Sequence, residues 1–271
     1  MRIFKKRFYI IIVIVFAFGN LNAQTEIVAA PGEYVEAQNY GGKVEFKRFL
    51  QQEMNYPSKA IKTKTEGTVE VSFVVDLEGR TSKMHLKKSV SPELDEEAIR
   101  LYKMLLFKPS TYLGDKILTY STLKFKFSVK NYKRYCKKRG YTNLEIKDSV
   151  DYTIYSNNQI RKKPRIVFSD SLENISSFIY KNLKYPEGTL RLNITGVVKL
   201  SFVVEPTGRI TNIKALKDVG GGATSEAIRL LKLTRWQAGK IDDKKVRVIK
   251  EFVVNFNLSN DAGMEYVPTS Y

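Results

Sequence analysis

The residues that could carry chemistry in this chain are few and far apart. One histidine, His85, stands between Met84 and Leu86 in a stretch patterned as a strand, and one cysteine, Cys136, stands in a basic segment. A metal centre needs several nitrogen, sulfur or carboxylate ligands at short spacing, and the sequence has no such cluster. Nucleophilic catalysis needs a base beside the nucleophile and a third group to orient it, and neither is visible. Gly220-Gly221-Gly222 lacks the Lys-Ser or Lys-Thr that would follow it in a phosphate-binding loop. Asp95, Glu96 and Glu97 form a carboxylate run, but at the start of a predicted helix they complement the positive end of its dipole. The chain therefore reads as a protein that is not an enzyme, with no catalytic residue, metal or cofactor.

What remains is electrostatic. Lys133, Arg134, Lys137, Lys138 and Arg139 are interleaved with Tyr132, Tyr135 and Tyr141, and Arg161-Lys162-Lys163 follow. Cations among rings can hold phosphates and stack; a solvated connector that keeps two domains apart has the same composition. The chain has a formal net charge of +18, a balance that favours anionic partners. Its first residues narrow the choice. Arg2, Lys5, Lys6 and Arg7 precede an apolar run from Phe8 to Phe18, and Leu21 and Ala23 stand where a signal peptidase reads. A spanning helix needs roughly 20 apolar residues, so residues 1–23 are expected to be a cleaved signal, with an uncleaved membrane anchor as the alternative. Export sets nucleic acid aside and leaves acidic envelope polymers, anionic lipid headgroups or an acidic protein; a basic surface that only keeps the protein soluble explains the charge equally well. Cys136 alone cannot close an intramolecular disulfide, while a bridge to a second chain stays open.

The elements that must position any site come in duplicate. EGTVEVSFVVDLEGR, Glu66 to Arg80, recurs as TGVVKLSFVVEPTGR, Thr195 to Arg209, with eight of fifteen positions identical. At that fixed offset Tyr56-Pro57 falls on Tyr185-Pro186, Glu97-Ala98-Ile99-Arg100-Leu101 on Glu226-Ala227-Ile228-Arg229-Leu230, Phe107 on Trp236 and Phe127 on Phe256. Such self-similarity marks tandem units, and 271 residues accommodate two domains of roughly 100 residues each.

In the first unit Phe46, Phe49, Leu50 and Met54 predict a short helix over 44–54 that Pro57 stops. Val69, Val71, Phe73 and Val75 alternate as a half-buried strand. Glu78-Gly79 supplies a hairpin turn, and Arg80 to about Val90 returns antiparallel with Met84 and Leu86 inward. Ser91-Pro92 reads as the cap and first turn of a second helix whose stripe is Leu94, Ala98, Leu101 and Leu105. Leu123, Phe125, Phe127 and Val129 alternate in a third strand. The second unit repeats this with Phe178, Ile179 and Leu183, then Val198, Leu200, Phe202 and Val204, then Phe252, Val254, Phe256 and Leu258. There the three glycines replace Ser91-Pro92-Glu93, which predicts a looser helix start with Thr224 as a later cap. Val150, Tyr152 and Ile154 alternate as a short extra strand. The fold class is α+β: two tandem small modules, each a three-stranded antiparallel sheet covered on one face by two helices. The expected division is signal 1–23, lead-in 24–42, first module 43–129, basic connector 130–167, second module 168–258 and tail 259–271.

In this order of features both units resemble the TonB C-terminal domain as it occurs in envelope proteins of Bacteroidetes-type bacteria. The first shows Gly41-Gly42, Phe49-Leu50, Tyr56-Pro57, Glu66-Gly67-Thr68-Val69, Phe73-Val74-Val75-Asp76, Gly79-Arg80, Leu94-Asp95, Glu97-Ala98, Arg100 and Lys108-Pro109. The second keeps Tyr185-Pro186, Gly196-Val197-Val198, Phe202-Val203-Val204, Gly208-Arg209, Glu226-Ala227, Arg229, Trp236 and Gly239. Phe107 stands where the family usually has tryptophan, and Ala238 where it usually has proline. The family's energy transducers keep a membrane anchor and a long proline-rich segment, whereas only Pro31 lies between the apolar run and the first unit here.

The resemblance implies a periplasmic protein that binds an extended segment of an outer-membrane transporter, or another envelope protein, by adding it as a strand to a sheet edge, in association with energy-dependent transmembrane transport. The implied edges are Thr119, Ser121, Leu123, Phe125 and Phe127 in the first unit and Ile249, Glu251, Phe252, Val254 and Phe256 in the second. Two edges on one chain would raise avidity. The alternatives are an anchored energy transducer, a binder of envelope polymer or lipid surface through the basic connector, and a structural role in which the units pair with each other or into homodimers.

Overall fold

The computed structural model describes residues 34–142, 151–168 and 174–257; the expected signal, Val150 and the expected tail lie outside them. Helix α1 (Gly42–Glu53) starts after Gly41, which has φ 80°, and turns Phe46, Phe49 and Leu50 to the first core. Tyr56 then packs edge-on against Phe127 at 5.7 Å, and its hydroxyl donates to Thr65 O at 2.6 Å. Pro57 opens a further helix, α2 (Ser58–Lys62), which the sequence did not reveal because five residues hold too little periodicity.

Strand β1 (Gly67–Val75) is central, antiparallel to β2 (Thr81–Lys88) on one side and β3 (Thr119–Phe127) on the other. The hairpin between β1 and β2 closes with Asp76 N donating to Arg80 O at 3.0 Å. Within it Gly79 has φ 83°, and a Cβ there would stand 2.2 Å from Phe107 O, so only glycine fits. Helix α3 (Pro92–Met104) is capped by Ser91, whose Oγ accepts from Leu94 N at 3.4 Å, and it lays Leu94, Ala98 and Leu101 on the same sheet face as α1. Phe73 meets Phe107 at 4.8 Å as Phe202 meets Trp236 at 5.1 Å, so phenylalanine in place of tryptophan preserves the contact.

The basic segment does not begin as a plain connector. It forms a helix, α4 (Val129–Arg139), directly after β3; Tyr132 is buried in the first core, with Val129, Tyr135 and Cys136 packed against it. The extra strand, β4 (Ile154–Tyr155), is two residues long and starts later than the alternation of 150–154 predicted.

The second module repeats the order as α5 (Ile175–Asn182), α6 (Glu187–Arg191), β5 (Gly196–Val204), β6 (Ile210–Lys217), α7 (Ala223–Leu233), β7 (Gly239–Ile241) and β8 (Lys244–Phe256). Helix α7 begins after Gly222, at φ 92°, with no side-chain cap. Thr224 does not cap it, because its hydroxyl donates instead to Asp218 Oδ1 at 2.6 Å.

The repeated Glu-Ala-Ile-Arg acquires a reason in this packing. Glu97 Oε1 accepts from Asn55 N at 2.7 Å while Arg100 donates to Glu53 O at 2.5 Å. Glu226 Oε1 and Arg229 repeat this with Lys184 N at 2.7 Å and Asn182 O at 2.5 Å. Each pair answers backbone groups left over where the preceding helix stops. The acidic run is therefore more than a dipole partner: Asp95 also accepts from Val90 N at 3.1 Å.

Each repeat also reaches further back than sequence identity suggests. Gln38–Asn39 pairs with Phe107–Lys108, and Arg165–Ile166 pairs with Trp236–Gln237. Tyr40 N donates to Leu106 O as Val167 N donates to Arg235 O. The lead-in and the end of the connector are the same arm in the two copies.

Candidate functional site

Strand β3 pairs with β1 along its whole length, from Gly67 opposite Phe127 to Val75 opposite Thr119. Among the described residues no strand pairs with its outer side. Of the residues expected to form this edge, Thr119 and Ser121 are buried, Leu123 is half-buried, and Phe125 and Phe127 belong to the core. They offer a ligand backbone groups rather than side chains. The accessible side chains belong to the opposite face of the strand, where Tyr120 is 66 % exposed and Lys124 and Lys126 are exposed. Leu77, Leu113 and Leu118 are also exposed.

The edge of β8 is shared. Lys244–Val246 pairs with β7, and Arg247 and Val248 pair in parallel with Ile154 and Tyr155 of β4. Ile249 to Phe256 has no strand on its outer side among the described residues. Phe252, Val254 and Phe256 point into the second core, Ile249 is 38 % exposed, and Glu251 pairs with Lys199 at 2.8 Å. Ile249, Lys250, Val253, Ser201, Val203 and Tyr40 border a cavity of 590 Å3. Burial, helped by the charge of Lys163, holds Lys250 below the usual lysine range.

The two modules are tied together by polar groups, of which only Arg209 belongs to a repeated motif. Asn212 sits in a bulge of β6 at φ 53°. Its Nδ2 donates to Met104 O at 2.9 Å and its Oδ1 accepts from Leu106 N at 2.8 Å. Arg209 donates to both oxygens of Glu53, at 2.5 and 3.2 Å, Arg48 donates to Ile210 O at 3.2 Å, and Lys232 pairs with Glu45. Deepest of all, Arg247 donates to both oxygens of Glu205, at 2.9 and 3.0 Å, to Tyr152 O at 3.0 Å and to Met104 O at 2.8 Å. Arg247 and Glu205 are 2 % and 1 % exposed. Taking two charges out of water is costly, and bidentate geometry with further hydrogen bonds offsets that cost. First module, connector and second module thus meet at one ion pair. Arg209 is shared with Arg80 of the first copy, whereas Arg48, Glu53, Glu205, Asn212 and Arg247 differ from their counterparts, and that difference was the available signal.

Of the basic residues, Lys133, Arg134, Lys137 and Lys138 are exposed on α4. Arg139 turns inward, donating to Met54 O at 2.7 Å and Thr142 O at 2.6 Å. Its guanidinium and that of Arg209 lie 4.6 and 4.9 Å from the centre of the Tyr141 ring. His85 is exposed, and among the described residues no group of His, Cys, Asp and Glu could hold a metal ion.

Among the described residues, the paired α+β modules leave a sheet edge unpaired and hold no group of His, Cys, Asp and Glu that could bind a metal. Residues 52–129 and 181–258, together more than half of the chain, match the family described as Gram-negative bacterial TonB protein C-terminal. The chain belongs to the TonB C-terminal family and has two tandem copies of its domain. It is a TonB-like envelope protein associated with energy-coupled transport, and its domain is one of energy transduction and protein interaction rather than catalysis. No curated protein and no solved structure matches the chain. Among the described residues no helix is long and apolar enough to cross a membrane.

Proposed function

We propose that the protein is exported through cleavage after Ala23 and acts in the periplasm as an adaptor, taking an extended segment of an outer-membrane transporter or other envelope protein as an added strand on β3. The observation that carries this reading is the contrast between the two edges. Among the described residues the outer side of β3 is unpaired over nine residues, whereas on β8 the unpaired run is Ile249 to Phe256, with the chain's own β4 paired just before it at Arg247 and Val248. Unpaired backbone groups supply affinity to an incoming strand, and alternate side chains supply selectivity. Tyr120, exposed on the outer face of β3, offers an apolar contact for such side chains. The second module also holds the first through Asn212, Arg209 and Arg247, and β4 beside its edge makes β3 the favoured site.

Photo-crosslinking in envelopes tests this. A benzoylphenylalanine in place of Tyr120 or Lys124 is expected to capture an outer-membrane protein, while the same group in place of Ile249 or Glu251 captures much less. Equal capture from both strands restores the bivalent reading, and no capture from β3 rejects strand addition there. Mass analysis of the mature amino terminus tests export: a start at Gln24 is expected, and retention of Phe8 to Phe18 supports an anchored transducer instead.

A further inference from the structure

The outer face of α4 is the densest charged feature that peptide capture leaves without a role. Lys130, Lys133, Arg134, Lys137 and Lys138 are all exposed, and at 100° per residue they fall within roughly 140° of the helix circumference. Among the described residues none of the five makes an ion pair; Arg134 donates to Asn131 Oδ1 at 2.7 Å. Like charges four residues apart repel, and the stripe contains three such pairs, so it weakens the helix that displays it. Packing holds the helix in place instead, through Val129, Tyr132, Tyr135 and Cys136 against the first core.

The chemistry of the partner follows from what the stripe lacks. The rings that the sequence interleaves with these cations face away from them: the Tyr132 hydroxyl donates to Thr142 O at 2.5 Å, the Tyr141 hydroxyl donates to Gln52 O at 2.8 Å, and Tyr135 packs on the core. Single-stranded nucleic acid is held on outward rings that stack with its bases, and this face presents none. The 590 Å3 cavity is lined by other residues. This face has no apolar side chain to insert. A shallow row of cations about 12 Å long suits a surface of dense, laterally mobile negative charge, on which every added Lys or Arg strengthens binding.

We infer that α4 is a membrane-facing helix that binds the phosphate-bearing headgroups of an anionic bilayer by charge alone, without insertion. The binding is independent of peptide capture at β3 and keeps the first module beside the membrane.

Flotation of the full chain with vesicles tests the inference, using phosphatidylcholine with about 30 % phosphatidylglycerol against phosphatidylcholine alone, at about 0.1 M salt. The neutral vesicles set the baseline for any insertion by Phe8 to Phe18. Partition onto the anionic vesicles is expected to exceed the neutral ones by at least about tenfold, and to fall to their level at about 0.5 M salt. The variant K133Q/R134Q/K137Q/K138Q is expected to lose at least about tenfold of the anionic partition. Equal partition onto both vesicles, or undiminished binding by the folded variant, overturns the inference. So does capture by soluble polyglutamate without capture by vesicles, which makes the partner an acidic polymer. Circular dichroism checks that the variant folds; should it not, the salt series on the unmodified chain decides, and salt-insensitive binding rejects the proposal.

Discussion

Asn212 occupies in the second module the bulge that Lys83 occupies in the first, at φ 53° against 51°. The backbone is the same; the consequence is not. Lys83 is exposed, while Asn212 answers both Met104 O and Leu106 N across the module boundary. Asparagine tolerates the left-handed region better than most residues, so one side chain satisfies the bulge and the interface together.

Replacement of Asn212 separates these two tasks. Asn212→Gly keeps the backbone at ease and loses the hydrogen bonds, at a cost of about 1–3 kcal/mol. Asn212→Ala loses the same bonds and adds about 1 kcal/mol of strain at positive φ. Denaturant unfolding should rank the wild type first, glycine second and alanine last.

Arg247 corresponds to Leu118 of the first module, which is exposed. Arg247→Leu leaves Glu205 buried without its partner and is expected to cost about 3–5 kcal/mol, whereas adding Glu205→Leu recovers much of that loss. A double-mutant cycle by chemical denaturation measures it; additive losses would show that the two residues act separately.

Part of the fall in stability in acid should come from two carboxylates, Glu45 and Glu226. Burial pulls Glu45 and Glu226 upward, but Lys232 and Arg48 around the first, and Arg229 and Lys184 around the second, outweigh it and hold both below their ordinary 4.5. A folded-state pKa below the unfolded one contributes stability above the unfolded value, and that contribution is lost as pH falls through the folded value. Unfolding midpoints are therefore expected to hold between about pH 7 and 5 and to drop below about 4.5. Glu45→Gln should flatten that drop, since it removes the titrating partner of Lys232.

Neighbours in the basic run should behave oppositely. Arg139→Ala removes donors to Met54 O and Thr142 O and is expected to cost about 1–3 kcal/mol. Lys137→Gln, on the exposed face, should change stability by less than about 0.5 kcal/mol. Thermal melts of the two variants check this.

What the sequence made legible and what it hid divide along physical lines. Val69, Val71, Phe73 and Val75 alternate because one face is buried, and their copies repeat at a fixed offset, so sheet and duplication could be read together. Ser91 declared its helix through cap chemistry. Helix α4 was hidden because its inward residues, Val129, Tyr132, Tyr135 and Cys136, are fewer and less apolar than a usual core stripe, and its cations read as solvent-exposed wherever they stand. The arms at Gln38–Asn39 and Arg165–Ile166 share backbone pairing but no residue identity. The β3 edge was located by its inward residues, since Phe125 and Phe127 have the strong pattern; Tyr120, on the outer face, leaves none.

The rear of one module meets the front of the next, and such a head-to-tail contact between like units, if repeated, grows a filament. The exposed front of the first module has Asp76, Lys83 and Leu118 where the second has Glu205, Asn212 and Arg247, and the rear of the second has Ser177 and Asn182 where the first has Arg48 and Glu53. Apart from Arg80, which matches Arg209, each copy keeps at these positions the side chains of one half of the joint and has lost those of the other. Divergence between the copies removes these side-chain contacts from the two outer faces of the tandem.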